Sequence, residues 1–346
     1  MRAKAQNHAF PIRTTESPHM TAVVCTAWGP AESLVVEDVQ LPAPKAGEVL
    51  INIASASVNF PDVLIIQKKY QIQPELPFIP GTEVAGTVAA LGEGVNNVKL
   101  GDRVIAFMGL GGFAEQVLAK AAGLIPIPEG LSDDVAASFT MAYGTSYHAV
   151  VDRGELKAGQ TMLVLGAAGG VGLAAVEIGK AIGARVIAAA SSDEKLAVCK
   201  ERGADVLINY ATQDLREAIK AATDGKGPDV IYDPVGGVYA EPAFRSIGWR
   251  GRYLVIGFAN GEIPKLPFNL ALLKGASIVG VFWGAHVQRE PKANMAAMKQ
   301  MLGWMLEGKI RPLVSARYSL AQVADALNAL GSRQATGKIV IVPGLV

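Results

Sequence analysis

Met162-Leu163-Val164-Leu165-Gly166-Ala167-Ala168-Gly169-Gly170-Val171-Gly172 runs from an apolar strand pattern straight into a helix pattern. Aligned on its last glycine, the turn reads A-x-G-x-x-G through Ala167, Gly169 and Gly172. Glycine at 169 lets the backbone come close to a pyrophosphate, and glycine at 172 lets the helix pack on the strand. The helix N-terminus adds free N–H groups and a dipole that favours negative charge. Such a turn also occurs for tight packing alone. Its place at a strand-to-helix junction is the context that points to a dinucleotide held by Ala168, Gly169, Gly170, Val171 and Gly172.

The pattern around the turn supports this. Apolar runs at 161–165, 185–190, 205–208, 229–232, 252–256 and 277–281 read as strands, with helical patterns at 173–182 and 194–202 between the first of them. Alternation of this kind predicts a doubly wound parallel sheet. Upstream, residues 20–145 have another texture. Short runs at 48–54, 83–91, 103–107 and 113–118 are separated by Pro-Gly, Gly-Glu-Gly and Gly-Asp turns, as in an irregular β-barrel-like unit. Helices are expected at 292–306 and 320–330, then a last strand at 338–342 that pairs with the first unit and makes it discontinuous. The expected division is therefore 20–145 with 292–346 for the β unit and 146–291 for the dinucleotide unit. Residues 1–19, polar and without an apolar signal core, read as a leader.

Composition narrows the function. The chain has 346 residues, half of them apolar and 18% charged, enough to bury two cores. Lys and Arg number 32 against 31 Asp and Glu, which argues against nucleic acid as the partner. No apolar run reaches the roughly 20 residues of a membrane span. Two cysteines, Cys25 and Cys199, cannot build a disulfide framework, so a reducing, cytoplasmic setting is expected. The four histidines, His8, His19, His148 and His286, show no ligand spacing in sequence.

The second strand of the dinucleotide unit speaks to the nucleotide. NAD-type sites place an acid about 20 residues after the glycines, on the ribose hydroxyls. Here the strand ends in Ala190, followed by Ser191, Ser192 and Lys195. Hydroxyls and a cation suit a 2′-phosphate, so NADPH is expected, although Asp193 weighs the other way. Ser191 and Glu194 also read as a capping box for the next helix.

Several further segments carry a family resemblance. They are Ser57-Val58-Asn59-Phe60-Pro61-Asp62, Phe78-Ile79-Pro80-Gly81-Thr82-Glu83-Val84-Ala85-Gly86, Gly101-Asp102-Arg103-Val104 and Thr140-Met141-Ala142-Tyr143-Gly144-Thr145-Ser146-Tyr147. To these add the glycine turn, Ile208-Asn209-Tyr210, Gly257-Phe258, Val281-Phe282-Trp283-Gly284 and Thr336-Gly337-Lys338. With these, residues 20–346 resemble the zinc-free medium-chain dehydrogenase/reductases, the NADPH:quinone oxidoreductases that include zeta-crystallin. The resemblance implies a GroES-like catalytic domain, a Rossmann domain and a cleft between them. Zinc-dependent alcohol dehydrogenases of the same superfamily bind catalytic zinc through cysteine, histidine and cysteine. The matching positions here are Asn59, Thr82 and Met141, which do not make a zinc ligand set.

Residue-by-residue matching then assigns expected roles. Asn59 offers an amide at the former metal position, Tyr70 a hydroxyl in the substrate cleft, and Thr145 a contact to the nicotinamide. Asp62 matches the acid of an Asn-x-x-Asp segment and reads equally as a turn residue. Lys195 and Tyr210 match the pair that holds the adenosine phosphate. Gly257, Phe258, Phe282, Trp283 and Lys338 are expected on the cofactor side, with core or dimer packing the other reading for Phe282 and Trp283. The resemblance also implies a homodimer joined near 277–281. The expected activity is metal-free hydride transfer from NADPH to quinones or α,β-unsaturated carbonyls. Two alternatives stay open: a dedicated enoyl-thioester or 2-haloacrylate-type reductase, for which Lys68 and Lys69 are suggestive, and a non-catalytic NADPH-binding protein.

Overall fold

Parallel strands with short local crossovers build the sheet that carries the glycine turn. The computed structural model describes residues 19–41 and 43–345, so the expected leader lies outside the described residues except for His19. His19 is not leader: it opens a strand, His19–Val24, paired with Val35–Gln40. The dinucleotide sheet has six strands in the order Val206–Asn209, Arg185–Ala190, Thr161–Leu165, Val230–Asp233, Arg252–Val255, Ser277–Gly280, all parallel. Thr161–Leu165, the strand that feeds the glycine turn, lies inside this sheet, and its residues 162–165 are fully buried. Its continuous apolar run is what burial on both faces requires.

The β unit is a seven-stranded sheet built on the long strand Glu48–Val58, which pairs with Glu83–Leu91, Gln116–Lys120 and Lys338–Ile341. Lys338–Ile341 in turn pairs in parallel with Val314–Tyr318. The end of the chain thus completes the first sheet, as the sequence pattern anticipated. One expected strand is displaced: pairing starts at Gln116, not at Phe113. Phe113 is held elsewhere, its carbonyl accepting from Val23 N–H and its own N–H donating to the Pro80 carbonyl.

Between the two sheets lies a shared core. The helix Thr140–Tyr147 crosses it, and the helix Pro291–Leu306 lies against that helix, with Met298 touching the Gly144 position and Tyr147 OH donating to Gln300 at 2.6 Å. Met298 and Met301 sit in one cluster with Val164 and Leu173 of the dinucleotide unit and with Ala85 and Ile105 of the β unit. The chain rejoins the first sheet only at Val314–Tyr318. Glu177 ties this seam together from the glycine-turn helix, Gly170–Ile182. It accepts from Tyr143 OH (2.6 Å), Arg202 (3.0 Å) and the Arg311 N–H (3.0 Å). Burial raises its pKa, and these three partners pull it back down.

Gly172 shows why the turn needs glycine. A Cβ there would lie 2.2 Å from the Gly166 carbonyl oxygen and 2.9 Å from Ala167 Cα. Both are backbone atoms and cannot step aside. Gly172→Val should therefore destabilise the protein by about 3 kcal/mol or more, as overpacking does, with a fall in Tm of several degrees. Scanning calorimetry checks this, and an unchanged Tm would refute the contact.

Candidate active site

The strand Glu48–Val58 delivers Asn59 to the seam between the two units, at the N-cap of the short helix Phe60–Ile65. Asn59 is 5% exposed, and every polar group of its side chain is used. Nδ2 donates to Thr82 Oγ1 (3.1 Å), Glu83 Oε1 (3.0 Å) and the Ser57 carbonyl (3.3 Å). Oδ1 accepts from Lys338 Nζ at 2.5 Å. Thr82 Oγ1 in turn lies 3.9 Å from Met141 Sδ. Asn59, Thr82 and Met141 thus meet in space, linked through Thr82. An amide nitrogen, a hydroxyl and a thioether are poor zinc donors, and the residues do not fit that metal. The structure also changes Asn59's expected part. With both amide protons committed to protein groups, it positions its neighbours and has none left for a substrate.

Lys338 is the cation of this network. Its stem passes where a Cβ on Gly170 would lie, 2.8 Å from its Cδ. Its Nζ reaches Asn59, the Val58 carbonyl (3.3 Å) and, at 3.6 Å, Glu83 Oε1. The lysine expected beside the cofactor therefore spends its ammonium inside the β unit and presents its stem to the glycine turn. Burial lowers its pKa, while Glu83 and Asp62 oppose the shift. Glu83 was absent from the expected site, although the Gly-Thr-Glu segment contains it. It is fully buried, and its second oxygen accepts from the Met141 N–H at 2.7 Å.

Asp62 is buried, with Oδ2 accepting from the Asn59 N–H at 2.8 Å and Oδ1 left without a hydrogen-bond partner. Burial pushes its pKa up to about 7, against the pull of the Asn59 N–H and the Lys338 charge. Tyr70 is half-buried, and its pKa is raised, first by desolvation and then by the nearby Asp62. Its hydroxyl therefore stays protonated and can donate. Lys68 Nζ lies over the Trp28 ring at 5.7 Å, and Lys69 Nζ donates to Gln67 at 2.7 Å.

On the dinucleotide side, Gly169 has only the Gly166 oxygen near its absent Cβ, at 3.5 Å, which leaves the space a phosphate would need. Gly337 N–H donates to the Ala168 carbonyl at 2.8 Å, fastening the terminal segment to the turn. Thr145 is half-buried on the helix Thr140–Tyr147. Its neighbour Ser146 donates to the Val171 carbonyl at 2.8 Å and meets Tyr232 OH at 2.9 Å, which seats that helix on the turn.

At the far end, the helix N-cap is Ser192, which accepts from the Lys195 N–H; the expected capping role of Ser191 is not observed. Ser191 Oγ instead faces Lys195 Nζ at 3.3 Å. Lys195 also donates to the Arg333 carbonyl at 2.8 Å. Tyr210 completes the group, pushed up to about 12 by burial against the pull of the Arg333 charge and the Ser191 hydroxyl. Arg333 was missed in sequence because it enters from the other end of the chain.

The aromatic pair divides. Phe282 is half exposed, whereas Trp283 is 4% exposed in the shared core, against Phe107 at 4.9 Å and the Gly144 position. Trp283 is packing, and its Nε1 donates to Asn294 at 3.0 Å. Phe258 lies against Gly236, in a turn that buried Asp233 holds by accepting from the Val235 and Gly236 N–H groups, each at 2.8 Å.

Known proteins resemble this chain in sequence and fold. A family model described as Alcohol dehydrogenase GroES-like domain matches residues 45–129, and one described as Zinc-binding dehydrogenase matches 170–300. Quinone oxidoreductase-like protein 2 homolog of Nematostella vectensis is 39% identical over 92% of this chain and 88% of its own. The chain belongs to the quinone oxidoreductase family of the medium-chain dehydrogenase/reductases. Quinone oxidoreductase of Escherichia coli, solved in complex with NADPH, superposes with a TM-score of 0.88 at 27% identity, over 93% of this chain and all of that one. A probable oxidoreductase from Mycobacterium abscessus gives 0.85 at 36% identity, over 94% and 100%. Family membership makes the chain an oxidoreductase.

Asp62 gives a signed test. Its carboxyl is raised from an ordinary value near 4, so its contribution to stability is complete below that pH and is lost as the pH rises through about 7. Asp62→Asn should remove this dependence. The stability of wild type minus variant should drop by about 2–4 kcal/mol between pH 4 and 8, measured by denaturant unfolding at each pH. A flat difference would contradict a buried neutral acid.

Proposed function

We propose that the protein is an NADPH-dependent reductase that passes hydride, without a metal, to quinones or α,β-unsaturated carbonyls. The observation that carries this reading is the Asn59–Thr82–Met141 contact, which replaces zinc donors with groups that organise a hydrogen-bonded cleft. The NADPH-bound Escherichia coli relative supports the cofactor. So does the cluster of Ser191, Lys195, Tyr210 and Arg333, two hydroxyls and two cations at the end of the second strand. Bound NADPH would supply the hydride. The open backbone at Gly169 and the helix that begins at Gly170 would take its pyrophosphate. Tyr70 would donate a hydrogen bond to the oxygen that gains charge in the acceptor, and its raised pKa keeps that proton in place. Asn59, Asp62 and Lys338 hold the cleft wall behind it. An acceptor that becomes an aromatic hydroquinone or an enolate needs no Lewis acid, only orientation and this donor. Two buried free thiols, both with raised pKa, accord with work in a reducing cytoplasm. Among the described residues no helix is long and apolar enough to cross a membrane.

The same reading includes a homodimer. Ser277–Gly280 is the outer strand of its sheet. Beside it stand Phe268, 80% exposed, with Leu272, Leu273 and Trp249 also exposed. An unpaired edge next to such an apolar surface suits a second copy. Leu272→Asp should shift the protein to monomer in analytical ultracentrifugation, whereas a wild type that sediments as monomer would end the dimer reading.

Activity is tested by following NADPH absorbance with an ortho-quinone, an enone and a short enoyl thioester. Oxidation by none of them would sink the proposal. Tyr70→Phe should lower kcat on the order of 100-fold with NADPH affinity unchanged. Lys195→Ala should weaken NADPH about 10-fold and leave NADH little altered, as read by fluorescence titration.

A further inference from the structure

His148 and His286, 138 positions apart, meet in space. Their imidazoles lie with centroids 4.1 Å apart and planes 15° apart. Each is followed four residues later by a carboxylate. His148 begins the π-helical turn His148–Arg153, and its Nδ1 lies 2.9 Å from Asp152 Oδ2. His286 lies on the helix Trp283–Arg289, and its Nδ1 is 3.6 Å from Glu290 Oε1. The sequence expectation that the histidines lack ligand spacing holds along the chain and fails in space. One ligand atom each from His148, Asp152 and His286 lies within 4.8 Å of the others.

A second observation points to a ligand. His286 has a side chain only 5% exposed, and its Nδ1 is buried with no hydrogen-bond partner. Leaving such an atom unpaired costs about 1–3 kcal/mol. All four side chains line one cavity of about 560 Å³. Arg153 also lines it, and its Nε donates to the Gly280 carbonyl at 3.2 Å.

We propose that His148, Asp152 and His286, with Glu290 as a fourth donor, bind a divalent transition metal of the Zn²⁺ type, separate from the hydride-transfer site. Two imidazoles with carboxylates suit Zn²⁺, and hard-cation sites for Ca²⁺ or Mg²⁺ use oxygen alone. Ligand atoms around tetrahedral zinc stand about 3.3 Å apart, from bond lengths near 2.0–2.1 Å. His148, Asp152 and His286 need to close by about 1.5 Å at most, and because the two rings are stacked, the partly exposed His148 must also rotate off the stack so that both ring nitrogens point at one ion. The role is structural. A bound ion would clamp the helix that carries Trp283 to the end of the helix that carries Thr145, two elements that both face the seam between the units.

The test uses the full chain, treated with chelator and titrated calorimetrically with Zn²⁺, with Co²⁺ as a spectroscopic probe. One Zn²⁺ per chain is expected, with a rise in Tm on loading and tetrahedral visible bands for Co²⁺. His148→Asn should weaken binding at least about 10-fold. Because a change at buried His286 is prone to misfold, the partly exposed Asp152→Asn and the exposed Glu290→Gln serve as the second pair, each with circular dichroism to confirm folding. No heat and no Co²⁺ bands up to about 100 μM metal, or affinity unchanged by His148→Asn and Asp152→Asn together, would overturn the proposal.

Discussion

One buried ammonium holds the molecule's two halves to a common point. Lys338 Nζ is removed from water, a transfer that costs several kcal/mol unless it is paired and hydrogen-bonded. Asn59 Oδ1, the Val58 carbonyl and Glu83 supply that pairing, and they come from two strands of the first sheet. The stem that delivers the charge lies over Gly170, where any side chain would displace it. The same residue therefore requires a glycine in the dinucleotide turn and an amide oxygen at position 59. Asp62, a second acid in the same pocket, is driven toward its neutral form by burial, against the pull of the Asn59 N–H and the Lys338 charge.

This arrangement explains how a fold widely associated with zinc can dispense with it at the matched positions. Asn59 and Thr82 bond to each other, and Thr82 reaches Met141, so the ground once given to ligands becomes a wall of satisfied polar groups. Tyr70, half-buried near Asp62, keeps its hydroxyl protonated. At the end of the second strand, Lys195 meets Ser191 and the Arg333 carbonyl.

Much of this was legible in sequence, and the reason is locality. The glycine turn, the parallel strands and their helices each carry a local apolar pattern, and the strand boundaries fall within a residue or so of the expected ones, while the glycine-turn helix begins three residues earlier, at Gly170. The terminal strand was legible too, because its apolar run had no partner nearby. What escaped was long-range. Arg333 joins Lys195 across 138 positions, and His148 meets His286 across a similar gap, with no local pattern to announce either. Ser191 and Ser192 were confused because two adjacent hydroxyls fit the same cap, and only backbone geometry at Ser192 decides between them. For Trp283 the sequence left a ligand or core reading open, because an aromatic after a strand suits both; the small Gly144 opposite it admits the ring into the core.

The discontinuity of the first domain has a consequence for how the chain is assembled. Lys338 closes on Val58 across 280 positions. Joining the ends of a free loop of that length costs on the order of 5 kcal/mol in chain entropy. The dinucleotide unit lies within that loop, so its own folding shortens the free chain left to close. The inserted domain thus acts as a splint for the one that surrounds it. On a ribosome, the first sheet waits with its long strand half-paired until the last few residues emerge.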